Sequence, residues 1–288
     1  IEDYVATLTP IEMCRVNRLD EIKKLHGMGV FTPVLKTSLE KHCKLFGHTW
    51  VDKPDKSRLT CKDINRGNEV EHTFCPTPSV TALRIVEGYA VVHGFPCLRG
   101  DVVSAFPHAE EDECCALRPP EEWFESFEPP DEGYDPRDYV WLLLKSLYGR
   151  RTAAGNWDKF PEKTLKEVCP TIARCEKEPC LYYDKETKMI LLHHIDDLTL
   201  VGPESATTNF MKLLEQKVLI KVGDLEHPGS SASFLKTTKL RTSDSLITVP
   251  YVGHIDKIIE IAGVEGSKAV STPGEKMKDD PDNEVLLS

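Results

Sequence analysis

The sequence predicts an α+β fold built around a split βαβ sheet, and three observations lead there. Two short apolar runs, Met189 to Leu192 and Leu198 to Val201, flank the pair Asp196-Asp197. Runs of that length read as buried strands, and the breaker pair Gly202-Pro203 closes the second. A further apolar segment, Tyr89 to Gly100, leads into the isolated acid Asp101 and reads as another buried strand with a carboxylate at its end. Helical spacing then recurs between and after these strands: over Trp157 to Val168, and beyond Ser205, where Phe210, Leu213, Leu214 and Val218 recur. Strand, helix, strand-turn-strand, helix is the order of a split βαβ unit.

The remaining elements follow along the chain. Leu19-Asp20-Glu21-Ile22-Lys23-Lys24-Leu25 has helical spacing and stops near Gly27, an apt helix exit. Glu110 to Asp138 gathers acids, including Glu110-Glu111-Asp112-Glu113 and Glu121-Glu122, with Pro119-Pro120 and Pro129-Pro130; it reads as a solvated loop. A strand at Pro179 follows the Trp157 helix, and Ser205 is placed to cap the next one. Ile255, Ile258, Ile259 and Ala262 mark a last helix closed by Gly263. From Gly274 the chain turns polar, and Lys276 to Asn283 reads as a linker.

Asp196 and Asp197 carry the chemistry. Neighbouring residues of a regular strand point to opposite faces, so two adjacent carboxylates serve one site only where the backbone turns, as at a hairpin tip. Asp is also a favoured turn residue, which alone would account for the dipeptide. Asp101 changes the balance. If its strand lies beside the hairpin, three carboxylates converge, a costly arrangement without a cation. Oxygen-only ligands suit magnesium or manganese. Three acids can hold two such ions roughly 3.5–4 Å apart, the geometry of in-line displacement at phosphorus used by polymerases among others.

Seven motifs in order resemble the reverse transcriptase of copia-type LTR retrotransposons, from about Met13 to Pro273. They are Lys56-Ser57-Arg58-Leu59-Thr60-Cys61-Lys62; Thr73-Phe74-Cys75-Pro76 with Thr81-Ala82-Leu83-Arg84; Asp101-Val102-Val103-Ser104-Ala105-Phe106; Ser146-Leu147-Tyr148-Gly149 with Trp157 at the expected distance; Pro179-Cys180-Leu181-Tyr182; His194-Ile195-Asp196-Asp197, where Tyr-Val-Asp-Asp is usual; and Val270-Ser271-Thr272-Pro273. The resemblance implies a right-hand polymerase fold: fingers at 1–92 and 107–149, palm at 93–106 and 150–240, thumb or its start at 241–273, and a linker at 274–288.

It further implies RNA-directed and DNA-directed DNA synthesis, with deoxynucleoside triphosphates joined to a primer 3′-hydroxyl on an RNA or DNA template. Asp101, Asp196 and Asp197 would be the catalytic, metal-binding acids for two Mg²⁺ or Mn²⁺ ions, with the Val102 carbonyl as an extra ligand. Lys56 and Arg58 would grip the triphosphate, an Arg fork suiting phosphate oxygens and Lys adding a point charge. Phe106 would exclude a ribose 2′-hydroxyl, while Tyr148 and Gly149 line the nucleotide pocket, glycine permitting close backbone approach. Arg150, Arg151, Lys159 and Lys163, within a basic stretch beside that motif, are expected on the primer-template surface. Such stretches also occur as plain solvated helix faces.

Departures from the family pattern cluster at defined points. After Gly149 the family continues Leu-Lys-Gln-Ala-Pro-Arg-x-Trp, and this chain reads Arg150-Arg151-Thr152-Ala153-Ala154-Gly155-Asn156-Trp157. His194 replaces an aromatic, and Lys236 follows Phe234-Leu235 where glycine is usual. A retained fold serving as a binding or scaffold module, or a template-independent two-metal nucleotidyl transferase, are the rival readings.

With 288 residues, 40% hydrophobic and 29% charged, the chain has a globular composition and no apolar run long enough to span a membrane. The net charge of −11 excludes a protein that coats nucleic acid by bulk charge. None of the ten cysteines forms a Cys-x-x-Cys pair, so a zinc site is not expected; a set of Cys175, Cys180, His193 and His194 fails because adjacent histidines on a strand face opposite ways. Ile1-Glu2-Asp3-Tyr4 shows neither an initiator Met nor a signal pattern, so a piece of a longer, unsecreted polyprotein is expected. Ribonuclease H and integrase regions of the same polyprotein would be its neighbours, and a cytoplasmic virus-like particle and the nucleus its places.

Overall fold

A computed structural model describes residues 10–268, apart from 66, 68, 69, 71, 72 and 131. The Val270-Ser271-Thr272-Pro273 motif, the 274–288 linker and the first four residues lie outside the described residues. Helix α1 (Pro10–Gly27) packs Ile22 and Leu25 against a four-stranded sheet of order β1-β7-β6-β2, formed by Phe31–Leu35, Tyr139–Leu143, Cys115–Leu117 and Lys44–Phe46. A hairpin of β3 (His48–Lys53) and β4 (Lys56–Cys61) stands beside it. Alternation in β4 buries Ser57, Leu59 and Cys61 and turns Lys56 and Arg58 together to the other face.

The second sheet has six strands in the order β12-β5-β11-β10-β9-β8: Ile220–Glu226, Cys97–Val102, Asp197–Val201, Met189–His194, Leu181–Asp184 and Ala173–Arg174. Leu98, Val102, Leu198 and Leu200 form one face of its centre. They share a core with Trp157 and Leu165 of α4 (Ala153–Val168) and with Phe210, Met211 and Leu214 of α5 (Glu204–Glu215). On the reverse face, α2 (Val80–His93) covers one end of the sheet through Ala82, Val86 and Ala90, against Cys97, Leu192 and Val201. A three-stranded sheet, β13 (Ser231–Phe234), β14 (Thr237–Arg241) and β15 (Leu246–Val249), stands over the middle, and α6 (Val252–Ala262) follows it. The remaining short helix, α3 (Glu121–Phe124), lies against α1.

The strand-turn-strand around Asp196 and the helices over Trp157 to Val168 and beyond Ser205 are present. Four details differ. Tyr89 to His93 is the last turn of α2, ended by Gly94 at φ +64°, and the strand begins only at Cys97; the β-branched and aromatic residues there decorate a helix whose buried positions recur every four residues. Ser205 lies within α5, whose N-cap is Pro203, and Val218 lies beyond its end. The acidic segment is not a loop throughout, since it contains β6 and α3, with Trp123 buried and the Glu111 side chain fully enclosed. The division expected at 240–241 falls inside β14, and that at 92–93 inside α2. Among the described residues no helix is long and apolar enough to cross a membrane.

Candidate active site

Register brings the three acids together. Asp197 is the direct antiparallel partner of Asp101, so their side chains share one face of the sheet. The Val102 N–H donates to the Asp196 carbonyl at 2.8 Å, which makes 102/196 a hydrogen-bonded pair and 101/197 a non-hydrogen-bonded one. In such pairs the Cα atoms approach to about 4.5 Å and the side chains lie closest. His194 pairs with Asp197, leaving Ile195-Asp196 as a two-residue turn with Ile195 at φ +56°. Burial, then the charges of Asp196 and Asp101, push the Asp197 carboxyl above the usual carboxylate range. Among the described residues, none of the three acids has an ion pair or a side-chain hydrogen bond.

Next to the acids on the same face is a buried polar layer that the sequence reading missed. Arg99 is 7% exposed and forks onto Glu226, Nε–Oε1 2.6 Å and Nη2–Oε2 3.2 Å, while Nη1 donates to Thr199 Oγ1 at 2.9 Å. The guanidinium also lies 4.5 Å from the centre of the Phe234 ring. One signal was available: a charge inside the otherwise apolar run Cys97-Leu98-Arg99-Gly100. The face thus grades from an apolar end under α2, through this neutralised layer, to open carboxylates.

Three of the expected nucleotide residues, Arg58, Phe106 and Tyr148, meet, and Tyr148 feels the charge of Asp196. The Arg58 guanidinium lies 5.0 Å from the Tyr148 ring centre, and Phe106 meets the same ring edge-on at 5.6 Å. Burial raises the Tyr148 hydroxyl above its ordinary pKa, opposed by its bond to Ser104 and the Arg58 charge and aided by the charge of Asp196. Lys56 stands two residues further out, next to the tip of the β3–β4 hairpin, and is exposed. Gly149 has φ +82°, and a Cβ there would fall 2.3 Å from the Cys61 carbonyl oxygen. Its close approach is therefore to the β4 backbone, where Cys61 N–H also bonds Tyr148 O at 2.6 Å.

Three of the four expected basic residues, Arg150, Lys159 and Lys163, face carboxylates. Arg150 is 5% exposed and bonds Asp63 (2.5 Å), Glu111 (3.1 Å) and Glu113 (2.8 Å), so its fork is already filled by carboxylates. Lys159 and Lys163 lie on α4, which backs the sheet on the side opposite the acids, and they face Asp112 (3.2 Å) and Glu110 (3.8 Å). The backbone N–H of Arg151 donates to Asp63 at 3.1 Å. Lys236 sits at φ +59° in the β13–β14 turn, the conformation for which glycine is suited.

The donor chemistry of the acid turn fits a hard cation: three carboxylates without sulfur, with the His194 imidazole beside Asp197 across the strand pair. Among the described residues, no three His, Cys, Asp or Glu side chains already form a metal cage, so the acids are adjacent without being closed around one point.

Such acids on the open face of an antiparallel sheet, backed by two helices and flanked by a separate four-stranded sheet, belong to a right-hand polymerase domain. Residues 37–276 match the reverse transcriptase (RNA-dependent DNA polymerase) family, and the chain belongs to it as a divergent copia-type domain. It is 26% identical over 247 residues to the retrovirus-related Pol polyprotein from transposon TNT 1-94 of Nicotiana tabacum, covering 83% of this chain and 17% of that protein. A putative transposon Ty5-1 protein of Saccharomyces cerevisiae is 25% identical, over 60% of this chain and 52% of its own. The chain therefore spans from about a sixth to about half of these relatives. A foamy viral protease-reverse transcriptase in complex with double-stranded DNA matches 83% of this chain and 36% of its own, at 13% identity and a TM-score of 0.42.

Proposed function

We propose that this chain extends a primer on an RNA or DNA template, using deoxynucleoside triphosphates, within a larger transposon polyprotein. The observation that carries the reading is the Asp101–Asp197 register, which places two acids side by side next to a third, with no ion pair to any of them among the described residues. The primer 3′-hydroxyl attacks the α-phosphorus, the bond to the β-phosphate breaks, and pyrophosphate departs. Two Mg²⁺ or Mn²⁺ ions, held by Asp101, Asp196, Asp197 and the Val102 carbonyl, would supply the positive charge that activates the hydroxyl and steadies the leaving oxygens. Arg58, stacked on Tyr148, is placed to meet the triphosphate, with Lys56 beyond it. Phe106 limits the space beside the sugar, and rotation of the Asp side chains about their χ angles closes the acids.

In this reading the four-stranded sheet and the β3–β4 hairpin act as fingers, the six-stranded sheet as palm, and α6 as the start of a thumb. The ribonuclease H and integrase regions of the polyprotein would be its neighbours, within a cytoplasmic particle that delivers DNA to the nucleus. Extension of a primed homopolymer by the purified domain tests the reading, with Asp101→Asn and Asp197→Asn expected to be inactive. Binding of primer-template without incorporation would instead select the scaffold reading, which the altered loop after Gly149 and the filled Arg150 favour. Incorporation that persists when template is omitted would select the template-independent transferase.

A further inference from the structure

The turn between β10 and β11 carries Asp196 and leads into Asp197 on a backbone that Ile195 resists. Ile195 adopts φ +56°, a region that a β-branched residue enters only when its surroundings impose it. One restraint comes from within the sheet, the Val102 N–H on the Asp196 carbonyl at 2.8 Å. The other comes from outside it. The indole N–H of Trp157 donates to the Ile195 carbonyl at 3.1 Å.

Trp157 is 2% exposed and stacks on Phe160, ring centres 5.3 Å apart, in the core that also holds Val102 and Leu198. An indole has a single polar atom, which can only donate. Among the described residues, the indole nitrogens of Trp50 and Trp141 are buried with no hydrogen-bond partner. The fold thus leaves two other buried indoles unbonded and directs this one at the acid turn. The two restraints hold consecutive carbonyls, one on each side of the Asp196 Cα, so the backbone of that residue is held at both of its peptides.

We propose that Trp157 is a positioning residue: by holding the Ile195 carbonyl it sets the backbone from which Asp196 and Asp197 project toward a divalent cation. The proposal rests on reading those acids as the cation-binding group. Mn²⁺ titration followed by electron paramagnetic resonance of the free ion tests it, on the wild-type chain, Trp157→Phe, Phe160→Leu and Asp197→Asn, beside thermal unfolding and primer extension. Trp157→Phe keeps an aromatic ring and loses the donor. It is expected to bind Mn²⁺ about tenfold more weakly, the scale on which partners that orient metal ligands act. Its extension rate at saturating nucleotide should fall while KM for the nucleotide holds.

Phe160→Leu should lose thermal stability and keep its Mn²⁺ affinity within about twofold, since it loses ring packing in the stack and removes no hydrogen bond to the turn. Wild-type Mn²⁺ affinity in Trp157→Phe, or equal weakening in Phe160→Leu, would overturn the proposal. Should Trp157→Phe fail to fold, β-(3-benzothienyl)alanine at 157, which keeps the ring shape without the N–H, makes the same comparison. A wild-type chain with no Asp197-dependent Mn²⁺ binding sinks the assignment of the acids and this proposal with it. Mn²⁺ binding without primer extension removes the polymerase reading and leaves the positioning role standing.

Discussion

Two groups of three carboxylates occupy this chain, and the fold treats them in opposite ways. Asp63, Glu111 and Glu113 converge on Arg150, and Lys44 adds a second cation to Glu113 at 2.9 Å. The Arg150 fork is enclosed there, with Phe46 beneath its guanidinium at 4.8 Å. Bonds and charges from the two cations hold the Glu113 carboxyl below its ordinary range against the burial that would raise it. Asp101, Asp196 and Asp197 have no such partner, and the Asp197 carboxyl moves the other way. A buried acid cluster supplied with its own cations joins segments; one left without them is a place where charge must arrive from outside.

The largest expected effect separates the two clusters by function. Asp101→Asn or Asp197→Asn should lower primer extension by more than about 10²-fold, the scale of losing one preorganised electrostatic group. The far-ultraviolet circular dichroism spectrum should be unchanged. Extension at the wild-type rate by either variant would remove these acids from the chemistry. The converse substitution is Arg150→Met. It leaves three acids facing one another, and removing one partner of a buried ion network typically costs about 3–5 kcal/mol. Urea unfolding should show that loss; an unchanged midpoint would mean that the cluster is solvated and the contrast false.

A smaller effect is expected where the two regions meet. Phe106 touches Tyr148, and Tyr148 is followed by Gly149, which is packed on Cys61, and then by the Arg150 clasp. In the proposed reading, Phe106→Ala opens space beside the sugar and alters no member of either acid cluster. Discrimination against ribonucleotides should fall on the order of ten- to a hundredfold, as when a pocket loses a shape restraint. Competition between deoxy- and ribonucleotides in the extension assay measures it, and an unchanged ratio would free Phe106 from the role.

How much of this could be read beforehand depended on sequence distance. The hairpin around Asp196 was legible because β10 and β11 are central strands, with Leu191, Leu192, Leu200 and Val201 fully buried, so the chain shows them as unbroken apolar runs. Tyr89 to His93 was not, since an apolar run reads alike in a strand and a buried helix; the spacing of Ala82, Val86 and Ala90 was the better guide. The partners of Arg150 lie 87, 39 and 37 residues away, so nothing near it in the chain marked its charge as filled. Lys159 and Lys163 misled for a different reason. Their helix was correctly expected, but which side of the sheet it covers is decided by the Leu98, Leu198 and Leu200 face, a property of register.

The smallest expected effect bears most directly on the contrast between the clusters. Burial and the charges of Asp196 and Asp101 raise the Asp197 carboxyl above its unfolded value, so the folded state binds that proton more tightly than the unfolded one. Its contribution to stability is fully present below the unfolded carboxylate pKa and is lost as pH rises through the folded one. At neutral pH, then, the metal-free fold carries the repulsion in full. Asp197→Asn removes the charge in the same shape and should raise the thermal midpoint of the metal-free chain at pH 7, with the gain shrinking as pH falls into the carboxylate range. Mn²⁺ should raise the wild-type midpoint and leave that of Asp197→Asn nearly unmoved, because the ion acts on the charge that the substitution removes. If Asp197→Asn instead lowers the midpoint at pH 7, the acid is a structural partner like Glu111, and the division between a closed cluster and an open one fails.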